Sequence, residues 1–402
     1  MSDPPISVAG MATTAERIEA ERLARVTAFV SGLVDDVFGD DLHAKRVLSL
    51  SNAAAGAVAA GSLGVHAIGL GMATVRGVSN KHAIKQVDRL LSNQGVRPWD
   101  LFASWVPYML GERDEALVAM DWTDFDADGQ TMLSLNLVTK HGRATPLVWK
   151  TVEKSGLKGS RNDVEDALLA RLFECLKRPV RVTILADRGF ADQELFQTLE
   201  EWGVDYIIRM RDNTWVDAAD GERRQARDWV PSNGRAKMLP GAQVTARLTK
   251  VPAVVCVRAA KMKEAWCLVT SRADLPAAQV VKLYGRRFTI EETFRDLKDP
   301  RFGLGLLDAR VSKPARRDRM VLIAALAISL LTLLGAAGEE LGYERLLKAN
   351  TSKKRTYSLL RQGLMYYAQI PRMAEERLGA LIARFAELIG AVETFAEILG
   401  AL

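Results

Sequence analysis

Between Glu115 and Arg211 the sequence changes its hydrophobic period in an order that few folds can satisfy. EALVAMDWTDF, QTMLSLNLVTK and TPLVWKTV are apolar, β-branched runs separated by short polar turns, and they read as three successive strands. RNDVEDALLARLFECLKR follows with helical amphipathic spacing, then the apolar strand VRVTILADRGF, the helix ADQELFQTLEEWG and the strand VDYIIRMR. Three strands, then helix, strand, helix, strand imply an α/β layer with parallel crossover connections.

The flanks read differently. Residues 12 to about 96 are helical in pattern, with Ile18, Leu23, Val26, Val30 and Leu33 approximating one apolar stripe. The Ala/Gly-rich stretch SNAAAGAVAAGSLGVHAIGLGMA suits close helix packing or a flexible turn. In SNKHAIKQVDRLLSNQGV, Ser79 or Asn80 can cap a helix whose Ile84, Val87 and Leu91 face inward. Lys81, Lys85 and Arg89 line its other side at i, i+4, i+8, either as a DNA-contacting stripe or as a solvated basic face. Residues 213–271 carry short β-like pieces broken by Gly, Pro, Asn and Lys, a β-rich insertion. LPAAQVVKLYGRRFTIEETFRDLKD is then helical, Pro300 ends it, and the remainder is helical to Leu402.

At 402 residues the chain exceeds one compact core and divides into two or three domains. A net charge of +6 favours an anionic partner, nucleic acid being the commonest. Cys175, Cys256 and Cys267 form no C-x-x-C pair, and His43, His66, His82 and His141 lie far apart, so neither a disulfide scaffold nor zinc is supported. The start, MSDPPISVAGMATTAER, lacks a basic segment followed by an apolar one, so a cytoplasmic location is expected. Met320 to Ala337 is uncharged and apolar behind Arg316, Arg317 and Arg319, at the lower edge of a membrane span. It also holds Ser329, Thr332 and Gly335, and it reads as a helix buried on all sides, with no membrane partner.

Asp121 follows the run ALVAM and Asp187 follows VTILA. A carboxylate at the end of a buried strand projects beyond the sheet edge on a rigid mount, and two placed side by side can share a hard divalent ion. Singly, each is as well explained as a turn former. On one helix at about 100° per residue, Tyr284, Arg287, Glu291 and Lys298 share an arc of about 60°, with Ile290, Phe294 and Leu297 on an adjoining buried face. That arc sets one carboxylate among groups that grip phosphate oxygens, although a salt-bridged surface has the same composition. Glu292 falls off the stripe.

Y-x₂-R-x₃-E-x₆-K, met by Tyr284, Arg287, Glu291 and Lys298, resembles the signature of bacterial insertion-sequence transposases of the DDE class, in the insertion-sequence-four group. DWT at Asp121, ADRGF at Asp187, the IIRMR strand with Arg209 and the WCLVTS segment led by Trp266 extend the likeness over about 120 to 300. The resemblance implies an α/β ribonuclease-H-like catalytic core with a β-rich insertion, flanked by helical N-terminal and C-terminal regions. Asp121, Asp187 and Glu291 would bind two Mg²⁺ ions, with Mn²⁺ able to substitute, for cleavage and joining of DNA strands. Tyr284, Arg287, Lys298 and Arg209 would hold backbone phosphates. Trp266 would stack on a flipped base when the transposon end forms a hairpin, or else be a core residue of the insertion. The partners implied are double-stranded DNA, as terminal inverted repeats and target, and a second copy of the chain in a homodimer that synapses two ends. The expected division is 1–96 helical and end-binding, 97–212 and 272–338 the two parts of the core, 213–271 the insertion, and 339–402 a helical region for dimerisation. An inactive, transposase-derived DNA-binding protein is the second reading, and the intact triad speaks against it.

Overall fold

A computed structural model describes residues 14–390 and Ile398. The described chain divides into two compact units, one from the residues up to Asn93 together with Leu326–Gly390, the other Gln94–Ala325.

The first unit opens with four helices, α1 (Thr14–Phe38), α2 (Ala44–Ala60), α3 (Val65–Arg76) and α4 (Asn80–Ser92). Leu23, Val26, Val30 and Leu33 of α1 are buried as the stripe requires, while Ile18 departs from it and is 47% exposed. The Ala/Gly-rich stretch folds as α2 and α3 in close contact rather than as a loose turn. A methyl on Gly71 would lie 2.3 Å from the Gly56 carbonyl oxygen, so only glycine allows that approach. Ser79 caps α4, its hydroxyl accepting from the His82 N–H.

The second unit begins with α5 (Pro98–Leu110), then β1 (Glu115–Phe125), β2 (Gln130–Val138), β3 (Ala144–Glu153), α6 (Arg161–Glu174), β4 (Arg181–Ala186), α7 (Gln193–Glu201) and β5 (Asp205–Met210). Short strands follow: β6 (Trp215–Asp217), β7 (Arg223–Gln225), β8 (Lys237–Pro240), β9 (Gln243–Val244), β10 (Thr249–Lys250), β11 (Ala253–Val257) and β12 (Trp266–Thr270). The main sheet has eight strands in the order β3-β2-β1-β4-β5-β12-β11-β8. β1 pairs antiparallel with β2 but parallel with β4, and β4 pairs parallel with β5, as the α6 and α7 crossovers require. The 213–271 segment is β-rich but divided. β8, β11 and β12 extend the main sheet, while β10-β9-β6-β7 form a separate one. Every residue of β2 is buried, so this part of the sheet is covered on both faces.

The segment expected as one helix from Tyr284 to Lys298 is broken. α8 (Ala277–Gly285) and α9 (Thr289–Lys298) are joined by a 3₁₀ turn at Arg286–Phe288. α9 is fastened to β3, where the Thr293 hydroxyl accepts from the Ala144 N–H at 2.7 Å and Arg143 meets the buried Asp296.

α10 (Pro314–Glu340) starts in the second unit and ends in the first, which α11 (Leu359–Gln369) and α12 (Glu375–Gly390) complete. Taken singly, it is the one described helix long and apolar enough to cross a membrane, and 94% of its most apolar stretch is buried in protein. Within the first unit α10 and α11 pack backbone to backbone. A methyl on Gly363 would stand 1.9 Å from the Leu331 carbonyl oxygen, and one on Gly335 1.9 Å from that of Leu359. Gly363→Ala therefore destabilises the protein by about 1–3 kcal/mol through overpacking. Gly379→Ala in α12, where a methyl meets nothing within 4 Å, stabilises it by up to about 1 kcal/mol through helix propensity. Thermal unfolding of the two variants checks the opposite signs, and equal shifts would refute the packing argument.

Candidate active site

Parallel pairing of β1 with β4 is in register at Met120↔Ala186, the last pair of the ladder. Asp121 and Asp187 are the next residues, so two carboxylates stand level where the β1–β4 ladder ends; Asp187 follows the end of β4, whereas Asp121 lies inside β1, which runs on to Phe125 beside β2 and is not the strand end expected from the apolar run. Both strands are buried up to that point and open at the aspartates. Asp121 Oδ1 accepts from the Trp122 N–H at 2.9 Å. Asp187 caps the 3₁₀ turn Arg188–Phe190, its Oδ1 accepting from the Gly189 N–H at 2.8 Å.

Arg287 ties the third carboxylate to the first. Its Nη1 donates to Asp121 Oδ2 at 3.1 Å and its Nη2 to Glu291 Oε1 at 2.6 Å, one turn along α9. The guanidinium is buried, lies 4.8 Å over the Phe288 ring, and leaves Nε without a partner. Glu291 is half exposed, whereas Glu292 points away to Arg295 and Arg143. Lys298 Nζ donates to Thr123 Oγ1 at 3.0 Å and to the Asp124 carbonyl at 2.7 Å, within the strand that carries Asp121.

Trp266, Tyr284 and Arg209 belong to the same unit as this centre. Trp266 opens β12 and is partly exposed, its ring edge-to-face with Tyr284 at 5.0 Å and tilted against Phe288 at 5.8 Å. Tyr284 is only 1% exposed, so in this arrangement it supports Trp266 and Arg287 and offers no surface to a ligand. Arg209 on β5 is engaged by Glu264 at 2.8 Å and the Ala265 carbonyl at 3.2 Å. Lys81, Lys85 and Arg89 are all exposed along α4 of the other unit.

The electrostatics follow from this crowding. Burial pushes the Asp121 carboxyl up to about 6; Arg287 pulls it down, and Asp187 and Glu291 add to the rise. Burial also pushes the Tyr284 phenol up to about 12. Burial lowers the Lys298 ammonium, with Asp124 and Asp126 opposing. Burial would lower Arg287 too, but Tyr284, Asp121 and Glu291 outweigh it and hold the guanidinium charged.

Among the described residues, no three Asp, Glu, His or Cys side chains stand together closely enough to share one ion. The donor chemistry nevertheless suits a hard divalent cation, since all three groups are carboxylates and Asp121 is raised by burial, with Asp187 and Glu291 adding to the rise. Sequence reasoning missed a second cluster beside the same edge. Trp122 Nε1 and Arg161 Nε both donate to Glu165, and the Arg161 guanidinium lies over the Trp122 and Phe190 rings. The i, i+4 spacing of Arg161 and Glu165 was its only local signal.

No curated protein matches this sequence. A family model, the transposase DDE domain, matches residues 113–330, a span that contains Asp121, Asp187 and Glu291 and more than half of the 402 residues. That span holds the two aspartates on neighbouring strands and Glu291, which Arg287 ties to Asp121, and with more than half of the chain matched the chain belongs to the transposase DDE domain family.

Proposed function

We propose that this transposase cuts DNA at the terminal inverted repeats of its own mobile element and joins the freed 3′ ends to target DNA. Asp121, Asp187 and Glu291 would hold two divalent ions, Mg²⁺ or Mn²⁺, on a ribonuclease-H-like core. The observation that carries this reading is the parallel register ending at Met120↔Ala186, beyond which the partly exposed Asp121 and Asp187 come next on neighbouring strands. When bound, the ions supply Lewis-acid activation of the attacking oxygen and stabilisation of the leaving one.

The chain's own residues fix where that chemistry happens. Asp121 inside β1 and Asp187 just beyond β4 are held on the paired strands, and the Thr293–Ala144 bond holds the helix that presents Glu291. A phosphodiester arriving at the edge offers Arg287 and Lys298 anionic oxygens in exchange for their present acceptors. Arg209 grips a further phosphate once Glu264 releases it, and Tyr284 backs Arg287 from beneath. Water attacks one strand, the P–O3′ bond breaks, and the 3′ oxygen leaves as a hydroxyl with a proton from the water. That hydroxyl attacks the opposite strand and passes its proton to the departing oxygen, closing a hairpin that a second hydrolysis opens. Hairpin closure bends the backbone sharply, so a base leaves the stack and Trp266 receives it. Stacking of about 1–3 kcal/mol per base offsets much of the flipping cost. α4, with Lys81, Lys85 and Arg89, would bind the end sequence, and residues 339–402, in part outside the described residues, would pair two copies for synapsis.

One assay with a duplex of the DNA flanking the gene reads these assignments. Asp121→Ala, Asp187→Ala and Glu291→Ala each reduce cleavage to background with end binding nearly unchanged, while Glu292→Ala retains most activity. An essential Glu292 beside a dispensable Glu291 would overturn the choice. Trp266→Ala accumulates nicked DNA with hairpin closure slowed more than nicking, and a wild-type reaction without any hairpin removes that route. Replacing Lys81, Lys85 and Arg89 by alanine flattens the salt dependence of binding by about 0.9 for each phosphate no longer neutralised. An unchanged slope takes α4 off the DNA.

The Asp121 shift gives a prediction about pH. A carboxyl raised from 3.8 to about 6 binds its proton more tightly in the folded protein than in the unfolded one. Without a divalent ion its stability contribution is therefore full below about pH 4 and is lost as pH rises through about 6. A divalent cation offsets that loss, so Mg²⁺ should raise the melting temperature more at about pH 7.5 than at about pH 5. Asp121→Asn should abolish the difference. Equal Mg²⁺ shifts at both pH values in the wild type would contradict this account of the site.

A further inference from the structure

A cation outside the Tyr-Arg-Glu-Lys segment stands beside the two aspartates, on the far face of the sheet. Trp122 follows Asp121 in β1 and so points to the opposite face. There its Nε1 donates to Glu165 Oε1 at 2.7 Å, and Arg161 Nε donates to the same oxygen at 2.9 Å. The Arg161 guanidinium lies 5.2 Å from the Trp122 ring centroid and 5.8 Å from that of Phe190, which belongs to the turn capped by Asp187. Arg161 is thereby clamped between the strand of one aspartate and the turn of the other.

The clamp uses only Nε and the faces of two rings. Among the described residues Nη1 and Nη2 have no acceptor, and Nη2 lies 3.9 Å from the point where a Cβ on Gly189 would stand. The Arg161 side chain is 48% exposed, whereas Glu165, which anchors it, is only 8% exposed. A guanidinium fixed in orientation on a half-exposed side chain, with both terminal amines unpartnered, matches the oxygens of a phosphate, and its ordering cost is already met in the free protein. We propose that Arg161 binds a backbone phosphodiester of DNA on the opposite side of the cut from Arg287 and Lys298. The strand is then gripped from both faces of the sheet. This rests on the reading that the Asp121–Asp187 edge is the point of cleavage.

The test uses the full chain and a duplex of the DNA flanking the gene, in EDTA so that no strand is cut, over a series of KCl concentrations. Arg161→Met combined with Glu165→Gln leaves the net charge unchanged and keeps an acceptor for Trp122 Nε1. Affinity should fall about tenfold, and the slope of log affinity against log salt should become shallower by about 0.9. Arg161→Lys, which keeps the charge and the Glu165 partner, should preserve the slope and recover only part of the affinity. Wild-type affinity and slope in the double variant overturn the proposal, as does wild-type affinity in the lysine variant. Either result leaves the cleavage reading standing if Asp187→Ala still abolishes cutting in Mg²⁺. A wild-type protein that neither binds nor cuts the duplex removes both.

Discussion

The parallel ladder between β1 and β4 is the constraint on which the rest of the site depends. Its terminal pair, Met120 and Ala186, sets Asp121 and Asp187 level with each other. A shift of one residue in that register would turn one carboxylate to the other face of the sheet. The register is held by burial, because β4 is apolar and buried from Val182 to Ala186 and β1 from Ala116 to Met120. The core therefore acts on the chemistry at a distance of one residue.

Bringing carboxylates together out of water costs free energy, and the raised Asp121 carboxyl registers that cost. Arg287 counters it by bridging Asp121 and Glu291 from a buried position. In the proposed function the same guanidinium turns to a DNA phosphate, so one residue serves the free protein and the complex in turn. Lys298 and Arg209 are likewise held by local acceptors, which in the proposed function an arriving phosphate replaces.

Local periodicity made the core legible. β1 to β5 lie where the apolar runs place them, because a strand covered on both faces must be apolar throughout and bounded by polar turns. Asp121 and Asp187 stood out in the sequence for the same reason, each ending such a run. Nonlocal pairing was not legible. Nothing in KMLP, AVVCV or WCLVT says that these strands extend the main sheet, since their partners are chosen by tertiary packing. The break at Arg286–Phe288 was equally hidden, because a 3₁₀ turn differs from an α-helix only in which carbonyl each N–H selects. The break matters. It leaves Tyr284 under Trp266 and Arg287 between two carboxylates, where an unbroken helix would have lined all four residues on one arc. Arg161 escaped notice because its mount joins residues 122, 161, 165 and 190 across three elements.

In the proposed function Asp121 and Asp187, completed by Glu291, form a metal-binding centre for DNA cleavage. Crystals of the protein with its end DNA, grown with Mn²⁺ and measured for anomalous scattering, test it most directly. Anomalous peaks are expected within coordination distance of carboxylate oxygens of Asp121, Asp187 and Glu291, with Arg287 moved onto a phosphate. Mn²⁺ bound elsewhere on the DNA complex, with Arg287 still bridging Asp121 and Glu291, would contradict it.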